Sequence, residues 1–308
     1  SADVFKALVR EIDPTADARW IKTRDLDGLS NASPVLYLAD PALKTFARMR
    51  LRAGPGRYSL CGVTHTTATA NTMAMIAELY TEPVAPWDAL VCTSAAVLET
   101  VRLLHEQQAD LLRWKLGPQV RLSLPQFPVI PLGVHCDDFA FTEEDKVRAR
   151  EALDIGPDDI VALFVGRLTF SGKAPPYPIF HGLQAAAQRS GRRIVLLQCG
   201  WYPNEKIADA YTTGAAAFAP AVRTLTVDGR QAQTRARAWA AADLFVSMSD
   251  GIQETFGLTP LEAMAAGLPC VVSDCNGYRD TVRDGIDGFR VPTWAPGAGG
   301  FGAEVAAH

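Results

Sequence analysis

An α/β fold with two doubly wound domains is predicted by three observations. Short β-branched or aliphatic runs alternate with longer helical stretches along most of the chain, the pattern of βαβ units around parallel sheets. The chain has 308 residues, beyond the size at which one hydrophobic core keeps growing, so two cores are expected. Residues 128–141 then bring Pro128, Pro131 and Gly133 ahead of an acidic helix start at Thr142, which places a boundary between a domain at 1–133 and another at 134–308.

The elements follow in order. In the first half, strands are expected at 34–38, 58–63, 89–92 and 120–124, with helices at 41–52, 67–80 and 95–115. Ser94 supplies the N-cap of the last helix, since its hydroxyl can accept from an orphan N–H of the first turn. In the second half, 161–165, 193–199, 244–248 and 270–273 are continuous apolar runs, as strands covered on both faces require. Helices at 178–190, 207–218, 231–241 and 260–266 fill the intervals.

Composition excludes several classes. Thirty basic against thirty-four acidic residues, with pI near 5.8, supply no footprint for nucleic acid. The six cysteines form no CxxC pair, which argues against zinc and disulfide frameworks. No apolar run approaches a membrane span and the first residues lack a signal-peptide core, so a cytoplasmic chain is expected. Two motif matches carry no weight. Gly297, Gly299 and Gly302 satisfy GxGxxG without a preceding strand, and Asp25 with Asp27 lies in a charged run, as a solvated loop does. No metal site is expected.

The informative stretch is 254–272, ETFGLTPLEAMAAGLPCVV, lying after a buried strand. Pro260 suits the first turn of a helix, while Gly267 and Pro269 end it. The helix therefore starts at the C-terminal end of a strand, where its unpaired N–H groups and partial positive charge suit a phosphate. Glu262, three residues after Thr259, fits either a capping box or an acceptor for two ribose hydroxyls.

Glu254 and Glu262, seven residues apart around a glycine-containing loop, resemble the signature of retaining GT-B glycosyltransferases (glycosyl transferases group 1, family 4). Pro131, Gly133 and Val134 before Phe139, Gly166 with Arg167 and then Lys173, and the tail 273–292 are similar to further family motifs. The resemblance implies two Rossmann-like domains facing a cleft, truncated here at both ends, with residues 1–133 on the acceptor side and 134–308 binding the nucleotide sugar. It implies that Glu262 binds the ribose, Glu254 the sugar hydroxyls, and Arg167 with Lys173 the diphosphate. Gly166, Thr255, Phe256, Gly257 and Leu258 would line the phosphate site, and His65 would face the donor sugar. The implied activity is transfer of a hexose from a UDP- or GDP-linked donor to an unknown acceptor (sugar, lipid-linked or small molecule), with retention and no metal or other cofactor. No carboxylate is placed by spacing as a nucleophile, which leaves the donor's own phosphate as the base. Two alternatives stay open: an inactive nucleotide-binding module of the same fold, and a GT-B sugar-nucleotide epimerase.

Overall fold

The apolar runs of the second half pair side by side in parallel. In the computed structural model, which describes residues 2–16, 18, 21, 22, 25, 28, 31, 34–170 and 175–294, the chain packs as two units, each discontinuous in sequence.

One unit comprises Ser1–Val63, Met75–Val91 and His105–Pro128. Its strands β1 (Val35–Tyr37), β2 (Ser59–Val63) and β3 (Ala89–Val91) form a parallel sheet in that order. Helix α1 (Ala2–Ile12) precedes the sheet and α2 (Lys44–Ala53) links its first two strands. The helices that follow β2 and β3 are α3 (Ala70–Glu78) and α4 (Ala95–Leu116). A buried ion pair ties α2 to β3: Arg50 is 2% exposed, Asp88 0%, and Nη1 and Nη2 each lie 2.6 Å from a carboxylate oxygen. Both carboxylate oxygens and both terminal guanidinium nitrogens make two bonds each. Asp88 also accepts from Leu60 N (2.8 Å) and Ala85 N (2.7 Å), while Arg50 donates to the carbonyls of Tyr58 (2.9 Å) and Pro83 (3.1 Å). No residue pattern marks this pair in the sequence, because its two charges lie 38 positions apart.

The expected strand at 120–124 is a correction. That run is extended and largely exposed, and sheet contact passes instead to single bridges at Gln126 and Val129, downstream of Pro125. Val120, Leu122 and Leu124 alternate with Arg121 and Ser123 as a half-buried strand would, but no core covers them and Leu122 stays 39% exposed.

The other unit comprises Thr64–Ala74, Cys92–Leu104 and Val129–His308. After a 3-10 turn (Cys136–Phe139), helix α5 (Glu143–Ala152) opens on Thr142, whose hydroxyl accepts from Asp145 N while Asp145 accepts from Thr142 N. Then follow β4 (Ile160–Arg167), α6 (Tyr177–Ser190), β5 (Ile194–Trp201), α7 (Glu205–Phe218), β6 (Val222–Asp228), α8 (Ala232–Ala241), β7 (Leu244–Ser247), α9 (Leu258–Ala265), β8 (Cys270–Ser273), α10 (Tyr278–Thr281) and β9 (Gly288–Val291). The sheet is wholly parallel, in the order β6-β5-β4-β7-β8-β9.

Alternate residues of each central strand feed two cores. Val161, Leu163, Val195, Leu197 and Phe245 pack with Trp239 of α8, whereas Ala162, Phe164, Ile194, Leu196 and Val246 pack with Phe180 of α6. Coverage on both faces explains why these strands read as unbroken apolar runs. Strand β6, VRTLTVD, went unpredicted because it lies at the sheet edge and mixes polar with apolar residues. Among the described residues no helix is long and apolar enough to cross a membrane.

Removing the Asp88 carboxylate leaves Arg50 charged and buried, so Asp88→Ala is expected to lower unfolding free energy by about 3–5 kcal/mol. Urea denaturation checks this, and a loss below about 1 kcal/mol would contradict the assigned role.

Candidate functional site

Strand order reverses beside β4. The chain winds outward through β5 and β6, then returns to pair β7 against the other side of β4. The crevice at the C-terminal ends of β4 and β7 is therefore the topological switch point, where open α/β sheets bind ligands. Gly166 and Arg167 end β4, and the loop running from Met248 to Gly257 leaves β7 at the same sheet edge. Arg167 is exposed and stands in register with Trp201 at the end of β5. Gly200 needs to be glycine here, since a Cβ would lie 2.0 Å from Gly166 O.

The loop after β7 is held by its carbonyls. Ser249 O accepts from Ser273 Oγ, Gly251 O from Asn276 Nδ2 (2.9 Å), and Glu254 O from Gly277 N (3.2 Å). From the segments preceding α3 and α4, Thr67 Oγ1 donates to Ile252 O (3.2 Å) and Ser94 Oγ to Thr255 O (2.6 Å). Thr255 Oγ1 returns a bond to His65 O (3.0 Å). Ser94 thus caps α4, accepting from Val97 N at 3.1 Å as expected, and also clamps the site loop. Two glycines permit the packing. A Cβ on Gly277 would lie 2.3 Å from Phe256 Cα, and one on Gly257, at φ 85°, would lie 2.4 Å from the Tyr278 ring.

Helix α9 begins at Leu258 with Gly257 as a left-handed N-cap and no side-chain cap. This corrects the capping-box alternative for Thr259 and Glu262. The Thr259 hydroxyl is engaged with the Tyr278 phenol instead, and the helix starts two residues earlier than that box requires. The N–H groups of Gly257, Leu258 and Thr259 find no acceptor among the described residues, and Pro260 has no N–H to satisfy. These amides leave unpaired donors and a partial positive charge at the start of α9.

Around this turn the two glutamates differ. Glu254 is 9% exposed and lies beside Tyr278, whose phenol burial and then the Glu254 charge push above its ordinary range, keeping it protonated. The phenol also bonds Ser247 Oγ at 2.8 Å. Glu262, on α9, is half-buried, and burial pushes its carboxyl upward while Arg235 partly offsets the shift. Arg235 is itself oriented by the carbonyls of Gly229 (2.8 Å) and Arg230 (3.2 Å). His65 follows β2, its ring exposed and its carbonyl tied to Thr255.

The structure thus brings His65, Glu254, Thr255, Phe256, Gly257, Leu258 and Glu262 into one loop-and-helix assembly, with Gly166 and Arg167 on the neighbouring strand end. Lys173, Asp27 and the glycines at 297, 299 and 302 lie outside the described residues. Sequence reasoning missed Tyr278, Asn276, Thr67 and Arg235. Asn276 carries a faint signal, because the pair Asn276-Gly277 favours a left-handed turn, and its φ is 43°.

Comparison with known proteins agrees with this geometry. Residues 159–299 match the family described as Glycosyl transferases group 1. A D-inositol 3-phosphate glycosyltransferase of Actinosynnema mirum is 34% identical over 173 residues, 53% of this chain and 39% of that protein. One of the same name from Segniliparus rotundus is 27% identical over 237 residues, 75% of this chain and 49% of that protein. The chain thus spans less than half the length of these relatives. Among solved structures, Anabaena HepE in complex with UDP superposes with a TM-score of 0.61 at 17% identity, covering 91% of this chain and 70% of that one. A glycosyltransferase from Rickettsia africae gives 0.62 at 15% identity, covering 94% and 74%. The fold is that of these GT-B enzymes, and residues 159–299 match the glycosyl transferases group 1 family.

Proposed function

We propose that this chain transfers a hexose from a nucleoside-diphosphate sugar to an acceptor, retaining the anomeric configuration and needing no metal ion, with the donor held mainly by residues 134–308. The observation that carries this reading is the loop after β7: its carbonyls are bound on both flanks, so three amides at the start of α9 remain for an anion. A diphosphate fits that turn, and Glu254 and Glu262 flank it at positions suited to the sugar and ribose hydroxyls. A uridine donor is favoured by likeness to a protein solved with UDP and with UDP-glucose.

As the anomeric bond breaks, negative charge grows on the departing diphosphate. The fixed amides of Gly257, Leu258 and Thr259 stabilise it without reorganising, and Arg167 and Lys173 add charge-assisted hydrogen bonds. Glu254, buried beside the neutral Tyr278 phenol, orients the sugar hydroxyls, and the His65 ring faces the sugar from the end of β2. Retention follows if the acceptor attacks from the face the diphosphate leaves, with a phosphate oxygen taking its proton.

UDP is expected to raise the melting temperature, with GDP as the comparison. Glu262→Ala and Arg167→Ala should each weaken the nucleotide by about ten- to a hundredfold, the worth of one charge-assisted bond. No shift with either nucleotide would remove the donor site.

Ionisation of Glu262 couples the site to pH. Its carboxyl titrates above the ordinary value of 4.5, so the charged form costs stability once pH rises past its folded pKa. Glu262→Gln should therefore melt higher than the parent at pH 7, a gap that closes on acidification, while binding UDP more weakly. In the parent, UDP affinity should fall as pH drops through that raised pKa. Calorimetry across pH 4–8 tests both signs.

Metal independence and stereochemistry have their own test. Hydrolysis or transfer from UDP-glucose should persist in EDTA, and proton NMR of the first-formed product should show the donor's α configuration. Loss of turnover in EDTA, or a β product, would overturn that part of the proposal.

A further inference from the structure

A second cavity lies two strands away from β4, between α7 and the β5–β6 edge. It measures about 290 Å³ and is lined by Gln198, Tyr202, Tyr211, Thr224 and Thr226, with Ala216 at its rim. Gln198, Thr224 and Thr226 sit on the sheet face whose other residues, Ile194, Leu196 and Val222, build the apolar core against α6 and α7. Polar side chains on such a face are costly unless they have partners.

Their partners are incomplete. Gln198 is 3% exposed; its Oε1 accepts from Tyr202 OH (3.3 Å) and Thr226 Oγ1 (3.2 Å), while its Nε2 donates to no group among the described residues. Thr224 Oγ1 is buried and likewise finds no partner there. The lining holds no charged side chain. It combines an amide donor, three hydroxyl-bearing side chains and a tyrosine pair whose rings stand 5.4 Å apart, above alanines of α7.

We infer that this cavity is a binding site for a neutral polyhydroxylated ligand of monosaccharide size, separate from the donor site. The absence of charge in the lining disfavours phosphates and nucleotides. The amide and hydroxyls match alternating donors and acceptors of sugar hydroxyls, and the aromatic and alanine walls match the C–H faces of a ring. The volume, near the lower limit of small-molecule pockets, suits one ring rather than a chain.

The probes are glucose, N-acetylglucosamine and myo-inositol at millimolar concentration, read by thermal shift on the full chain. At least one should raise the melting temperature. Ala216→Phe, which fills the rim, and Gln198→Met, which removes the amide donor, should each weaken that sugar at least tenfold while leaving the UDP response unchanged. Thr224→Val adds a second readout: deleting an unpartnered hydroxyl should raise the melting temperature of the unliganded protein and reduce the sugar's effect. No shift with any of the three, or a shift that persists in both Ala216→Phe and Gln198→Met, would overturn the site. Because UDP binding is read in the same variants, failure of this site and failure of the donor site are distinguishable.

Discussion

The site depends on where the loop after β7 sends its carbonyls. A segment leaving a buried strand must satisfy its backbone polar groups, and here Ser249, Gly251, Ile252, Glu254 and Thr255 each present a carbonyl to a donor on a flanking segment. With the carbonyls committed, the amides that open α9 are left facing outward. The same polarity that closes the loop leaves these donors without an acceptor among the described residues. Gly277 is what allows the flank to come near enough, since any side chain there would meet the Phe256 backbone.

This arrangement also separates the two glutamates by environment. Glu254 belongs to the clamped loop and is nearly inaccessible, held beside a phenol that burial keeps protonated. Glu262 stands on the helix proper, half-buried, with Arg235 nearby to moderate the desolvation of its charge. Two identical side chains thereby sit in different surroundings, one locked into the clamped loop and one on a helix where burial pushes its carboxyl upward. The parallel sheet beneath them supplies rigidity through two cores that share the strands but not their residues.

Much of the fold was legible. Every apolar run read as a strand in the second half is one, because coverage on both faces leaves an unbroken hydrophobic signature. Ser94 caps the helix it was expected to cap, and the helix expected to start at Thr142 takes that residue as its N-cap, since an N-cap depends on residues within one turn. Edge strand β6 went unpredicted because it mixes polar with apolar residues, and the run at 120–124 was misread because its alternation is that of a strand although it joins no sheet. The site was legible as a spacing. Glu254, Gly257 and Glu262 stand out in one short stretch, whereas Tyr278, Asn276 and Arg235 are ordinary residues until the chain folds back on itself.

By itself the sequence determined the class of fold, written in local periodicity, and the glycine-containing turn before Pro260 with a glutamate on either side, which carries the family resemblance. Tertiary structure alone decided which groups hold that turn, that Thr259 bonds a tyrosine instead of capping its helix, and that Arg50 and Asp88 share a dry interior. Those outcomes rest on contacts between residues from 19 to more than 100 positions apart, and no local pattern records a distance that only folding closes.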